Sequence, residues 1–236
     1  MQLWLCPLLA FLLGSIPFGL LIAKAKGINI REHGSGNIGA TNVLRVVGKK
    51  YGVTCLLLDA LKGFIPVLLA ISLIRFEGMK NPMSLTALAP YSTDFPLLTA
   101  QMFQVFSGLC AILGHNYSPW AGFKGGKGIA TSAGVLIALM PAAIVILLAA
   151  WVLVFLVTRY VSLASIIAAG VLPLVTLWGF WFHGKIQDGT WNKPLFIFTV
   201  VIAVLAIWKH RTNIQRLREG TEHRFTRKPK TPAPQS

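Results

Sequence analysis

Residues Ile129 to Val157 read IATSAGVLIALMPAAIVILLAAWVLVFLV, 29 consecutive positions without a charged side chain. Pro141 interrupts the run, removing a helix hydrogen bond and marking a turn between two short, tilted membrane spans. Twenty-nine residues are few for two crossings, so an undivided helix is the other reading. Working outward, apolar stretches long enough for the roughly 20 residues that a crossing needs run over Met1 to Ala23 and Val53 to Ile74. Further stretches cover Leu97 to Leu113, Val161 to Phe182 and Leu195 to Trp208. The sequence therefore predicts an all-α integral membrane protein, one polytopic bundle over residues 1–225 with about seven transmembrane helices, or five if the long stretch is not divided. The first stretch has no basic residue before its apolar run and is read as a retained helix. Residues 226–236, rich in Pro and Lys and without apolar periodicity, read as a disordered tail.

Composition supports this class. The chain of 236 residues is 55% hydrophobic and 12% charged, outside the usual profile of a soluble domain. Its net charge of +15 is concentrated: Lys24 to Lys50 holds six basic residues and Lys209 to the C-terminus eight, together 14 of the 22. Basic residues gather on the cytoplasmic side of membrane proteins, so both segments are expected in the cytosol, beside anionic head groups or anionic substrates. Nucleic acid is the weaker partner, because these residues flank spans. Cys6, Cys55 and Cys110 are odd in number and set among apolar neighbours, so neither a disulfide framework nor a metal site is indicated.

Three polar segments carry chemistry. The first, Arg31 to Arg45, reads REHGSGNIGATNVLR. Gly34, Gly36 and Gly39 let backbone N–H groups turn towards a ligand, and Ser35, Asn37, Thr41 and Asn42 add neutral hydrogen-bonding groups, which suits an anion pocket. A loop that only reverses the chain is the plainer reading. The string matches G-x-G-x-x-G, but a membrane helix precedes it where a dinucleotide site needs a strand. The second, Gly114 to Thr131, reads GHNYSPWAGFKGGKGIAT. Lys124 and Lys127 alternate with Gly125, Gly126 and Gly128 just before a helix, so ammonium groups and backbone donors converge on a phosphate-sized space. It is not a Walker A motif, since glycine follows Lys127. The third reads HRTNIQRLREGTEHR from His210 to Arg224. On a helix leaving the bilayer, His210, Asn213 and Leu217 share a side, with Arg216 beside Asn213. If one site is built from all three segments, they lie on one side of the membrane, and dividing the long stretch at Pro141 satisfies that parity.

These segments, with Arg45, resemble in order and over nearly the whole chain the three motifs of the PlsY-type acyl-phosphate:glycerol-3-phosphate acyltransferases. Two departures are Arg224, where that family usually carries Lys, and the longer connector from Arg75 to Pro96. The resemblance implies transfer of a fatty acyl group from a membrane-dissolved acyl phosphate to the 1-hydroxyl of glycerol 3-phosphate, without metal or coenzyme. Lysophosphatidic acid and phosphate are the products. It also implies an inner-membrane location and a partner enzyme that makes the donor from acyl carrier protein. On this reading Arg45, Lys124, Lys127 and Arg216 hold the two phosphates by charge-assisted hydrogen bonds. Ser35, Asn37, Asn213 or loop N–H groups stabilise the developing oxyanion. His115, His210 or the acceptor's own phosphate takes the hydroxyl proton. The remaining substrate contacts are expected from Gly34, Gly36, Thr41, Asn42, Gly125, Gly126, Gly128 and Thr131. Asp59 and Lys62, three apart within a span, are expected to pair, either as support or in catalysis. His183 and Asp188 form an H-x-x-x-x-D string like that of thioester-dependent acyltransferases, but the topology puts them at the opposite face. A transporter or channel for a phosphorylated solute is the non-enzymatic alternative.

Overall fold

The structure, a computed structural model, describes residues 1–225; the segment 226–236 read as a disordered tail lies outside them. The first span is broken into α1 (Gln2–Gly14) and α2 (Phe18–Lys24). Pro17 has no N–H to continue the ladder, so the helix stops before it and restarts at Phe18. The break is put to use. The Ile16 carbonyl accepts from Lys62 Nζ at 2.7 Å, and the Ser15 carbonyl accepts from Ser118 Oγ at 2.5 Å. Trp120 Nε1 donates to Ser15 Oγ at 2.9 Å. An interrupted membrane helix thus becomes the anchor for the second polar segment.

The short α3 (Ala40–Val46) leads into α4 (Lys49–Leu73), and α5 is Leu97–Asn116. Between these long helices the connector makes a parallel pair, β1 (Ile74–Arg75) with β2 (Thr93–Asp94), Ile74 opposite Thr93. The long apolar stretch is divided where Pro141 predicts, into α6 (Ile129–Leu139) and α7 (Pro141–Thr158). The turn between them satisfies its own backbone, Met140 N–H donating to Leu136 O at 2.7 Å and Ala143 N–H to Met140 O at 3.0 Å, as apolar surroundings demand. With 11 residues, α6 is about 16 Å long, short of the roughly 30 Å hydrocarbon core. Then come α8 (Val161–Phe182), α9 (Lys193–Lys209) and α10 (Arg211–Arg218), the last two bent by 54°. Among the described residues, five helical spans are long and apolar enough to cross alone, and the bent pair makes a sixth. The seventh apolar segment is α6, which accounts for the ambiguity between counts.

Glycines set the closeness of the packing. A Cβ on Gly63 would lie 2.2 Å from Thr131 O, one on Gly134 1.9 Å from Ala60 O, and one on Gly14 2.2 Å from Ala111 O. Lipid gives helices no hydrophobic reason to associate, so backbone contact through such residues and the dispersion it brings hold α1, α4, α5 and α6 together. Large apolar side chains such as Leu57, Val145, Leu153, Leu174 and Val204 point outward, as a lipid-facing surface requires.

Candidate active site

Asn42 organises the first loop. Its Nδ2 donates to the carbonyls of Asn37 at 2.9 Å and His33 at 3.0 Å, while its Oδ1 accepts from Ser35 N–H at 2.9 Å. Gly34 and Gly36 adopt φ of 62° and 67°, left-handed values that favour glycine. A Cβ on Gly34 would also lie 2.3 Å from Asn42 Oδ1. These residues tie the loop; Asn42, expected to contact substrate, has its amide committed to the protein. The loop then presents Ser35, Asn37, Thr41 and Arg45 to a cavity of about 360 Å³.

The second segment is fastened to the first by Arg31, whose Nη2 donates to the carbonyls of Ala121 at 2.8 Å and Lys124 at 3.0 Å. It rests on the end of α5. Gly126 N–H donates to His115 O and Gly125 N–H to Asn116 O, both at 3.2 Å. The His115 ring fills the space beneath, for a Cβ on Gly126 would lie 2.2 Å from its Nε2. Its Nδ1 is 3.6 Å from Asp59 Oδ1, and Asp59 pairs with Lys62 at 2.7 Å, the expected ion pair. Lys127 and Gly128 line the cavity, whereas Lys124 is exposed and does not.

The third segment closes the ring. Lys127 Nζ donates to Asn213 Oδ1, and Asn213 Nδ2 donates to Glu222 Oε1 at 2.7 Å. Glu222 also accepts from Ser162 Oγ at 2.8 Å and Arg216 Nε at 2.8 Å. His210 Nδ1 faces the Ala206 carbonyl at 2.8 Å; a carbonyl can only accept, so the proton sits on Nδ1 and Nε2 is left as the ring's acceptor. Burial draws the Lys127 ammonium down to about 8 despite the opposing Glu222 carboxylate. Burial is the largest single influence on Glu222 and raises it, but the hydrogen bonds from Arg216, Asn213 and Ser162 and the Arg216 charge together hold it below the ordinary carboxylate value. The cavity is therefore lined by two cations, Lys127 and Arg45, and by two carboxylates that are each already paired, Glu222 with Arg216 and Asp59 with Lys62.

Of the residues expected in the site, Ser35, Asn37, Thr41, Asn42, Arg45, His115, Lys127, Gly128, His210 and Asn213 line one cavity. Gly34, Gly36, Lys124, Gly125, Gly126 and Thr131 stand behind or beside it, and Arg216 reaches it only through Glu222. Both ends of the α6–α7 hairpin return to this side, since Gly128 and Ser162 line the same space. His183 and Asp188 follow the far end of α8, which Phe182 closes about 30 Å along the helix from Ser162.

A family model described as glycerol-3-phosphate acyltransferase matches residues 4–220. The glycerol-3-phosphate acyltransferase of Geobacter sulfurreducens is 44% identical over 217 residues, covering 92% of this chain and 94% of that protein. That of Aquifex aeolicus is 43% identical over 216 residues, covering 92% and 95%. The crystal structure of PlsY, an integral membrane glycerol 3-phosphate acyltransferase, in its glycerol 3-phosphate form matches at a TM-score of 0.76 and 40% identity, with 96% of each chain covered. Its lysophosphatidic acid form matches at 0.73 and 39%. The chain belongs to the glycerol-3-phosphate acyltransferase family.

Within this acyltransferase frame, two residues that hold the site together escape a reading of the sequence. Glu222 stands in a basic tail, where a lone carboxylate reads as solvated, and Ser162 stands at the start of an apolar helix. The spacing of Asn213, Arg216 and the acid near it is the one signal that could have drawn attention to Glu222.

Proposed function

We propose that this protein transfers a fatty acyl group from acyl phosphate to the 1-hydroxyl of sn-glycerol 3-phosphate, giving lysophosphatidic acid and inorganic phosphate for phospholipid synthesis. One observation carries the reading. The cavity has a polar end that is built from all three segments and carries Arg45 and Lys127, and it continues into an apolar groove between α6, α7, α8 and α9. Such a space suits a reaction whose acceptor is small, anionic and water-soluble and whose donor ends in a long alkyl tail.

Arg45 and Lys127 supply charge for the phosphates. Ser35, Asn37 and Asn213 stand where neutral donors would meet the oxyanion formed as the hydroxyl oxygen attacks the acyl carbon. The bond from that carbon to the phosphate oxygen then breaks, and phosphate leaves. Acyl phosphate is already activated, so the protein's task is to hold two anions together in line. The hydroxyl proton passes to His210 Nε2 or to the acceptor's own phosphate; His115 is the weaker candidate, with one ring nitrogen against Gly126 and the other towards Asp59. The basic segments around Lys24 to Lys50 and from Lys209 onward support an orientation with this end in the cytosol of a bacterial inner membrane. There an enzyme that uses acyl carrier protein would supply the donor.

A solute-transporting role is disfavoured, because beyond Ser165 the groove is walled by Ala168, Ala169, Leu172 and Ile202. The test is direct. Purified protein in a lipid mesophase, given palmitoyl phosphate and glycerol 3-phosphate, should release phosphate and form the acylated product, and palmitoyl-CoA should not replace the donor. Product formation from the thioester alone would overturn the assignment of donor.

A further inference from the structure

The groove changes character with depth. Below the polar end its wall is made of small residues, Ser165, Ala168 and Ala169 on α8 and Ala203 and Ala206 on α9. It then meets Leu136, Leu147, Leu172 and Ile202, which are 4%, 5%, 3% and 3% exposed and belong to one packed cluster. Leu136 lies four positions before Met140 on α6 and Leu147 six after Pro141 on α7, with Ile144 lining the cavity nearer the turn. Leu172 and Ile202 face the same space from α8 and α9, so together these side chains bound its lower part. From Ser162 to Leu172 is ten residues of helix, about 15 Å.

Hydrophobic transfer cannot select among tails here, since lipid surrounds a methylene with much the same atoms as leucine does. A closed end acts by shape. A tail that just reaches the four residues packs along its whole length, and a shorter one leaves a void that forfeits dispersion contacts. A longer tail has to turn out past Leu148, whose side of the groove is exposed, or draw its phosphate back from Lys127 and Arg45.

We propose that Leu136, Leu147, Leu172 and Ile202 form a stop that sets the acyl-chain length this protein transfers best. The inference rests on the acyl-phosphate reading above and adds to it the residues that measure the donor.

The experiment is a competition among dodecanoyl, myristoyl, palmitoyl and stearoyl phosphates for the purified protein in nanodiscs with saturating glycerol 3-phosphate, the products being resolved by mass spectrometry. Ala203→Leu raises the floor and should shift the product ratio towards shorter chains. Leu172→Ala lowers it and should shift the ratio towards longer ones. Each shift is expected to be about tenfold, the low end of discrimination by hydrophobic pockets, because the bilayer offers a displaced tail an apolar alternative. Leu172→Ala also opens a void in the core, so thermal unfolding is followed for both variants, and Ala203→Leu decides the matter if the other does not fold. A wild-type product profile from folded Ala203→Leu overturns the stop while leaving the donor assignment standing. Failure of the wild-type protein to use acyl phosphate of any length, with product formed from a thioester, overturns the donor assignment and the stop together.

Discussion

Burial lowers the Lys127 ammonium to about 8, with Glu222 opposing the shift and Arg216 and Arg45 adding to it. Because the ordinary lysine value is about 10.4, the fold holds this charge at a cost to its stability at neutral pH. The sign for activity follows. Lysine is charged below its pKa, so kcat/KM for glycerol 3-phosphate, which reports the free protein, should fall as pH rises through about 8. In Lys127→Arg the falling limb should disappear from that range, since guanidinium stays protonated. An unchanged limb in the variant, measured by phosphate release across pH, would assign the titration to another group. At this scale the sequence disclosed residue types better than roles. Lys127 and Asn213 stood out from their glycine and helix settings. Asn42 read equally well as a ligand, and only its three loop hydrogen bonds identify it as the fastening of the first segment. The contact of His115 with Asp59 joins positions 56 residues apart, a relation that no local pattern can express.

Among the elements, α6 depends most on its glycine. A methyl at Gly134 would meet the Ala60 carbonyl at 1.9 Å, and backbone on a rigid helix cannot give way as a side-chain tip can. Gly134→Ala should therefore push α6 from α4 and destabilise the fold by about 1–3 kcal/mol. It should also lower activity, because the cavity wall from Gly128 to Leu136 moves with the helix. Gly179→Ala, with open space around its Cβ, is the matched control in a thermal-unfolding assay. Equal melting temperatures for the two would show that the close approach does not matter. The division of the long apolar stretch was legible from Pro141 alone, because a missing N–H is a local fact. The shortness of α6 was not: hydropathy runs unbroken through both arms, and only the fold shows that one arm is 11 residues and the other 18.

For the molecule as a whole, topology is the quantity that decides whether one site can exist. Arg159 lies next to the cavity, its carbonyl accepting from Phe225 N–H at 3.0 Å, while Gln187 follows the opposite end of α8. Single cysteines placed at 159 and 187 in a cysteine-free background should react with an impermeant maleimide from opposite sides of sealed vesicles. Labelling of both from one side would contradict the hairpin. That three distant segments would converge was legible as a parity condition on the spans. That a carboxylate would fasten the third segment to the start of α8 was not, because the contact of Glu222 with Ser162 exists only after α8 and α10 have come together.

The side-opening of the groove near Leu148 fixes what the word concentration means for such a catalyst. A donor that arrives through that flank is counted per area of leaflet, whereas the acceptor is counted per volume of water. Spreading a fixed amount of donor over more inert lipid would then slow turnover although nothing in the aqueous phase had changed, so the rate answers to the crowding of the membrane as much as to the supply of the soluble substrate.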